Sequence, residues 1–210
     1  KNKMLNFVKD VLTNMPSSWI NLTTHQLDIY DEKLAKTQFL EQFEILFNNN
    51  NSEVTALREL PTAYDYIRLG HPLSCLLEWV TAKKNNIEPK NVICFSSKTI
   101  PILAILRKNL LTNKSTQIVF TDKLPKFIDF EILKNIYGYN FDLKKINKAE
   151  NISAFNGTTI FILQKDEISN IDLKLDIDFF INFHPHFGSI LLVNGEKNES
   201  YISEIQHMRR

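Results

Sequence analysis

Glycine is scarce in this chain, with five in 210 residues, and none falls in a G-x-G-x-x-G, G-x-x-x-x-G-K-[ST] or G-x-S-x-G pattern. The loops that cradle dinucleotides and nucleoside triphosphates need glycine where a phosphate meets the main chain, so those sites are excluded, as is a nucleophile elbow. Cysteine is scarcer still. Cys75 and Cys94, two in all, are too few for a disulfide framework, and their apolar settings read as buried, reduced thiols of a cytoplasmic protein. No excess of either charge exists. A formal net charge of +1 lacks the clustered cations that nucleic acid requires. Long apolar runs are missing too, since the longest, Ile100 to Leu106, is far shorter than the ~20 residues that cross a membrane. No leader-like pattern opens the chain, and Lys1 in place of Met is expected of a trimmed chain or a fragment.

What is present is ordinary for a globular protein: 43% hydrophobic and 23% charged residues, on a chain long enough to bury a core. Leu5, Val8, Leu12 and Met15 recur at helical spacing until Pro16, and a second helix is expected from near Asp31, carrying Leu34, Phe39, Leu40, Phe43, Leu46 and Phe47. Phe39, Phe43 and Phe47 mark a packed face, on this chain or on a partner. The run Asn48-Asn49-Asn50-Asn51 breaks the pattern. From about Leu60 helices and strands alternate. Leu73 to Lys83 predicts a helix with Pro72 near its start. Val92 to Phe95, Gln117 to Phe120, Thr158 to Leu163 and Ser189 to Val193 predict strands. Ser96-Ser97 suits the cap of a helix with Pro101 in its first turn, and Phe130 to Tyr137 another helix ending at Gly138. Ile177 to Phe183 reads equally as a strand or a helix. The alternation implies a three-layer α/β/α fold with a mostly parallel sheet, preceded by an N-terminal helical segment. The expected division is residues 1–50 helical, 60–196 α/β domain and 197–210 a C-terminal tail.

Tyr64-Asp65-Tyr66-Ile67-Arg68-Leu69-Gly70-His71-Pro72, continuing to Leu77-Glu78, resembles the Y-x-Y-x-R-x-G-N-P-x-x-x-x-L-E signature of the pyridoxal-phosphate enzymes of cysteine and methionine metabolism. Asn86-Ile87-Glu88-Pro89-Lys90-Asn91-Val92-Ile93 is similar to the G-I-x-P-E-N-V-I lead-in of class I/II aminotransferases. Phe183-His184-Pro185-His186-Phe187-Gly188-Ser189, running on to Asn194, resembles their A-H-x-H-G-A-L-L-V-V-D segment. The likeness covers Leu60 to Asn194 and implies the fold-type-I architecture, with pyridoxal phosphate as the cofactor. It implies that Tyr66 and Arg68 reach a cofactor phosphate in a neighbouring subunit, as a planar guanidinium is suited to do. It implies further that Ser97 and Lys98 stand at the phosphate-binding turn of a helix start, where free N–H groups favour an anion. Asn194 stands where the family carries its pyridinium-pairing aspartate. Ser97 and Asn194 are then expected to face one crevice.

The departures from the family bear on activity. Asn194 is an amide and does not stabilise a protonated pyridine as a carboxylate does. Lys98 replaces a glycine of the turn. Asp122-Lys123-Leu124-Pro125 offers no ring to stack on a cofactor. Sixteen residues follow Asn194, and their one lysine, Lys197, is too close to serve as the Schiff-base lysine. No catalytic residue is assigned.

His184-Pro185-His186 offers two metal-ligating rings without a third, and a helix-to-strand connection is the plainer reading. Asp172, Asp176 and Asp178 lack the glycine and terminal glutamate of a calcium loop and read as a solvated edge. No metal site is assigned. Three functions follow from these observations. The first is a divergent or truncated fold-type-I relative without autonomous catalysis, acting as a binding or partner subunit or a homo-oligomer such as a dimer. The second is a small Rossmann-like ligand-binding domain or enzyme with its site at the strand carboxyl ends, near Ser96-Ser97, Thr121-Asp122 and Asn194. The third is a structural or interaction module using the N-terminal helices.

Overall fold

Met4, Phe7 and Val11 fall three and four residues apart on α1 (Asn2–Asn14), and all three are buried, as one helix face requires. The structure, a computed structural model, describes residues 2–20, 32–61, 71–147, 152, 154–168, 170–171, 173 and 176–208. The chain divides into two units, Lys1–Lys90 and Asn91–Arg210.

The first unit is helical. Its further helices are α2 (Glu32–Asn48), α3 (Val54–Arg58) and α4 (Pro72–Asn85). Phe39, Leu40 and Phe43 of α2, Leu57 of α3, and Cys75, Leu76 and Trp79 of α4 share one core with the α1 face and Trp19. The phenylalanine stripe is therefore core within this chain. Phe39 and Phe43 stack with centroids 5.9 Å apart, and Phe43 meets Trp79 edge-on at 5.1 Å. The unit reaches past the texture change at Leu60 because α4 buries its apolar side in this core.

The second unit carries β1 (Val92–Phe95), α5 (Ile100–Leu111), β2 (Thr116–Phe120), α6 (Phe130–Asn135), β3 (Phe141–Lys145), β4 (Thr158–Leu163), β5 (Phe179–Phe183), β6 (Ser189–Val193) and α7 (Glu199–His207). The six strands form one sheet in the order β1-β6-β5-β4-β2-β3. Pairings are parallel except those of β6, which runs antiparallel to both β1 and β5. This is the expected α/β fold with a mostly parallel sheet, following an N-terminal helical segment. Ile177 to Phe183 resolves in favour of a strand. Residues 197–210 are not simply a tail, since Tyr201 and Ile205 of α7 are buried in the core of this unit.

Pairing registers put Ile93, Leu191, Ile181, Ile160 and Ile118 on one face of the sheet, and these pack with buried side chains of α5, α6 and α7. The alternate residues Val92, Leu192, Phe180, Phe161 and Val119 are also buried, so the central strands are apolar on both faces. The amino ends of the strands are tied by polar groups. Asn109 donates to the Thr116 hydroxyl at 2.8 Å and accepts from the Tyr201 hydroxyl at 2.5 Å, which joins α5, β2 and α7. Asp178 does not belong to a solvated edge: it is buried and accepts from the Thr159 N–H at 2.8 Å and the Asn198 amide at 3.0 Å. Asp176 is exposed, and Asp172 lies outside the described residues.

β6 can lie beside β1 because Gly188 leaves room for it. A Cβ at Gly188 would stand 1.7 Å from the Phe95 carbonyl oxygen. Gly188→Ala is expected to lower unfolding free energy by about 3 kcal/mol through forced separation of β1 and β6. Gly138 has φ +70° with open space around it, so Gly138→Asn is expected to change stability by less than about 1 kcal/mol. Urea unfolding of both variants checks the contrast.

Candidate functional site

The described part of the Tyr64-to-Glu78 signature is structural. His71 is the N-cap of α4, its Nδ1 accepting from the Leu73 N–H at 3.1 Å, and Pro72 follows at a position where a missing N–H costs nothing. An asparagine, as in the family signature, would cap equally well. Glu78, fully buried, pairs with the buried Lys36 of α2 at 2.9 Å. Both groups hold the first unit together. Tyr66 and Arg68 lie outside the described residues.

Five strands, all but β6, end at one edge of the sheet, and their carboxyl ends deliver Ser97, Asp122, Gln164 and His184 there. The crossovers from β1 and β2 travel toward β3, with α5 and α6 on one face. The strands that follow β3 and β4 lie back toward β1. The connections part between β2 and β4, and that switch point is where open α/β sheets form a ligand crevice.

In this chain the edge is latched by its own side chains. The Ser97 hydroxyl accepts from the N–H groups of Thr99 and Ile100, at 3.1 and 3.3 Å, and so closes the turn that leads into α5, whose N-cap position is taken by Thr99 and not, as expected, by Ser96 or Ser97. The Lys98 ammonium donates to the Pro185 carbonyl at 2.8 Å and stands 5.5 Å from the Phe127 ring centroid. The Ser189 hydroxyl donates to the Ser97 carbonyl at 2.6 Å. Across the switch point, the Gln164 amide donates to the Lys123 carbonyl at 2.6 Å. Asn182, buried in β5, takes the Lys165 N–H and donates to the Lys165 carbonyl, both at 2.9 Å. Gln164, Lys165 and Asn182 were not marked by any motif. The one local signal is a polar amide inside the apolar run Phe179–Phe183.

His184-Pro185-His186 joins strand to strand, not helix to strand. The His184 Nδ1 accepts from the N–H groups of His186 and Phe187, each at 3.1 Å, which organises the turn into β6. Among the described residues no group of three or more His, Cys, Asp or Glu side chains is placed to hold a metal ion.

Asn194 is the largest departure from expectation. β6 runs from Ser189, opposite Phe95, to Leu192, opposite Val92, so it carries Asn194 to the amino edge. Ser97 and Asn194 therefore lie at opposite ends of the sheet, about 20 Å apart along the strands at ~3.3 Å per residue. Asn194 there donates through its side chain to the Ile177 carbonyl at 2.8 Å and through its N–H to the Asp178 carbonyl. Tested against pyridoxal phosphate, the described residues do not fit as a set. Ser97 is spent on the turn into α5, Lys98 is held by Pro185, and Asn194 cannot reach the same ligand.

No protein-family model matches the chain, and no curated protein matches it. Among solved structures, cystathionine gamma-lyase from Lactobacillus plantarum complexed with L-serine is similar at 11% identity and a TM-score of 0.44, over 70% of this chain and 49% of that one. MetB from Corynebacterium glutamicum is similar at 13% identity and a TM-score of 0.42, over 71% of this chain and 49% of its own. The chain spans about half the length of these structures.

His71 supplies a pH test of the first unit. Burial lowers its pKa below 6.5, so the folded state favours the neutral ring whose Nδ1 caps α4. Between the lowered value and 6.5 the unfolded chain binds more protons, so stability present above pH 6.5 is lost as pH falls through that window. Urea midpoints are expected to drop on acidification below pH 6.5, and His71→Asn is expected to flatten that part of the profile.

Proposed function

We propose that this chain is a divergent relative of the fold-type-I pyridoxal-phosphate enzymes that does not catalyse by itself and works as a binding or partner subunit. The sequence signature supports the ancestry, and the placement of Ser97 and Asn194 at opposite edges of the sheet, where the resemblance called for one crevice, counts against it. The observation that carries the absence of catalysis is the latched carboxyl edge, where Ser97, Lys98, Gln164 and Asn182 satisfy one another's loops. Of these groups Asn182 is buried, and freeing its amide for chemistry would cost about 1–3 kcal/mol, whereas the Lys98 and Gln164 bonds are exposed and cost less to exchange for water.

In the resembled enzymes the signature's tyrosine and arginine serve a neighbouring subunit. The part left to this chain is to present Tyr66 and Arg68 to a second chain, a copy of itself or a more complete relative. The two cysteines are free, which agrees with a cytoplasmic setting. Among the described residues no helix is long and apolar enough to cross a membrane.

A second reading is a ligand-binding domain with its site at the β2/β4 switch point. It is favoured by the arrival of Thr121-Asp122 and Gln164-Lys165 at that point on adjacent parallel strands. Packing of the phenylalanine stripe inside the first unit removes that face from the interaction-module reading.

Incubation with equimolar pyridoxal phosphate, followed by borohydride, separates these readings. The visible spectrum is expected to show no imine band, and the intact mass no reduced pyridoxyl adduct. An adduct fixed on one lysine would contradict the proposal. Non-covalent binding displaced by inorganic phosphate would support the second reading in its place.

A further inference from the structure

Between α5 and α6 the second unit carries an open cleft of about 360 Å³, bounded by helix side chains and the 127–129 loop. That volume lies in the range of small-ligand pockets, about 300–1,000 Å³. Its walls are the apolar side chains Ile102 and Leu103 of α5 and Ile132 and Leu133 of α6. At one side Tyr137 and Tyr139 stack with centroids 6.4 Å apart. The mouth is unusually apolar for a surface: Ile132 is 42% exposed, Phe127 43% and Tyr137 62%.

The charge in the lining has one sign. Asp129 is its single ionised side chain, and no Lys, Arg or His lines it. One Asp129 oxygen accepts from the Ile132 N–H at 3.0 Å as the α6 cap, and the carboxylate makes no ion pair among the described residues. The nearby Lys98 lies over Phe127 but is bound to the Pro185 carbonyl. A carboxylate beside aromatic faces attracts a cation and disfavours an anion such as a phosphate.

We propose that this cleft is a binding site for a small aromatic amine, its ring held among Leu103, Phe127 and Ile132 and its protonated nitrogen donating to the exposed Asp129. The site does not rest on the partner-subunit reading, since Leu103, Asp129 and Ile132 belong neither to the resembled signature nor to the hydrogen bonds that hold the carboxyl edge.

The test is titration of the full chain with 2-phenylethylamine and with phenylacetate, a similar ring carrying the opposite charge, followed by amide NMR shifts. The amine is expected to shift residues 99–103 and 127–133 and to bind about tenfold tighter than the acid, the scale of one charge-assisted hydrogen bond at an open site. Asp129→Asn keeps the helix cap and is expected to bring the two compounds to parity. Ile132→Trp, at an exposed position of the lining, is expected to abolish shifts from the amine. Equal binding of amine and acid, no binding of either, shifts centred elsewhere, or amine binding indifferent to either substitution would each overturn the proposal.

Discussion

β6 is hydrogen-bonded to β1 on one side and to β5 on the other, and it opposes the direction of both. Most of the second unit follows from that placement. It requires a tight return after β5, supplied by His184 accepting two backbone N–H groups and by Gly188 passing against Phe95. It brings Ser189 to the carboxyl edge, where its hydroxyl holds the loop after β1. It sends the chain to the amino edge, where Asn194, Asn198 and Asp178 bind one another before α7 begins.

The two edges of the sheet consequently differ in what they hold. At the amino edge a buried network through Asp178, Asn109 and Tyr201 ties strands to α5 and α7. Such networks favour one arrangement because each unpaired member would be costly in a low-dielectric interior. At the carboxyl edge, where α/β enzymes place their chemistry, the polar groups close loops on themselves. Fold does not fix function, so the reading of this chain rests on its side chains and not on its sheet.

Much of the architecture was legible in local sequence. Apolar runs located β1, β2, β4 and β6, and Ser97 with Pro101 marked the start of α5. β3 was not legible because it is an edge strand: Phe141 is buried, but Asp142 and Lys145 face solvent and dilute the apolar signal. The division of the chain was hidden for a different reason. α4 alternates with strands in sequence, yet its Trp79 and Leu76 are core of the helical unit, and only contacts reveal that. The site was least legible. Ser97 and Asn194 each sit beside a strand end, but which edge a strand end occupies depends on the strand's direction, and direction is a property of pairing. A polar residue after an apolar run reads the same at either edge.

The antiparallel placement of β6 is the claim on which the separation of Ser97 from Asn194 rests. Cross-strand nuclear Overhauser contacts between β1 and β6 in an isotope-labelled sample measure it directly. The account predicts contacts joining Val92 with Leu192 and Phe95 with Ser189. Contacts joining Val92 with Ser189 and Phe95 with Leu192 would make the pair parallel, bring Asn194 beside Ser97, and contradict it.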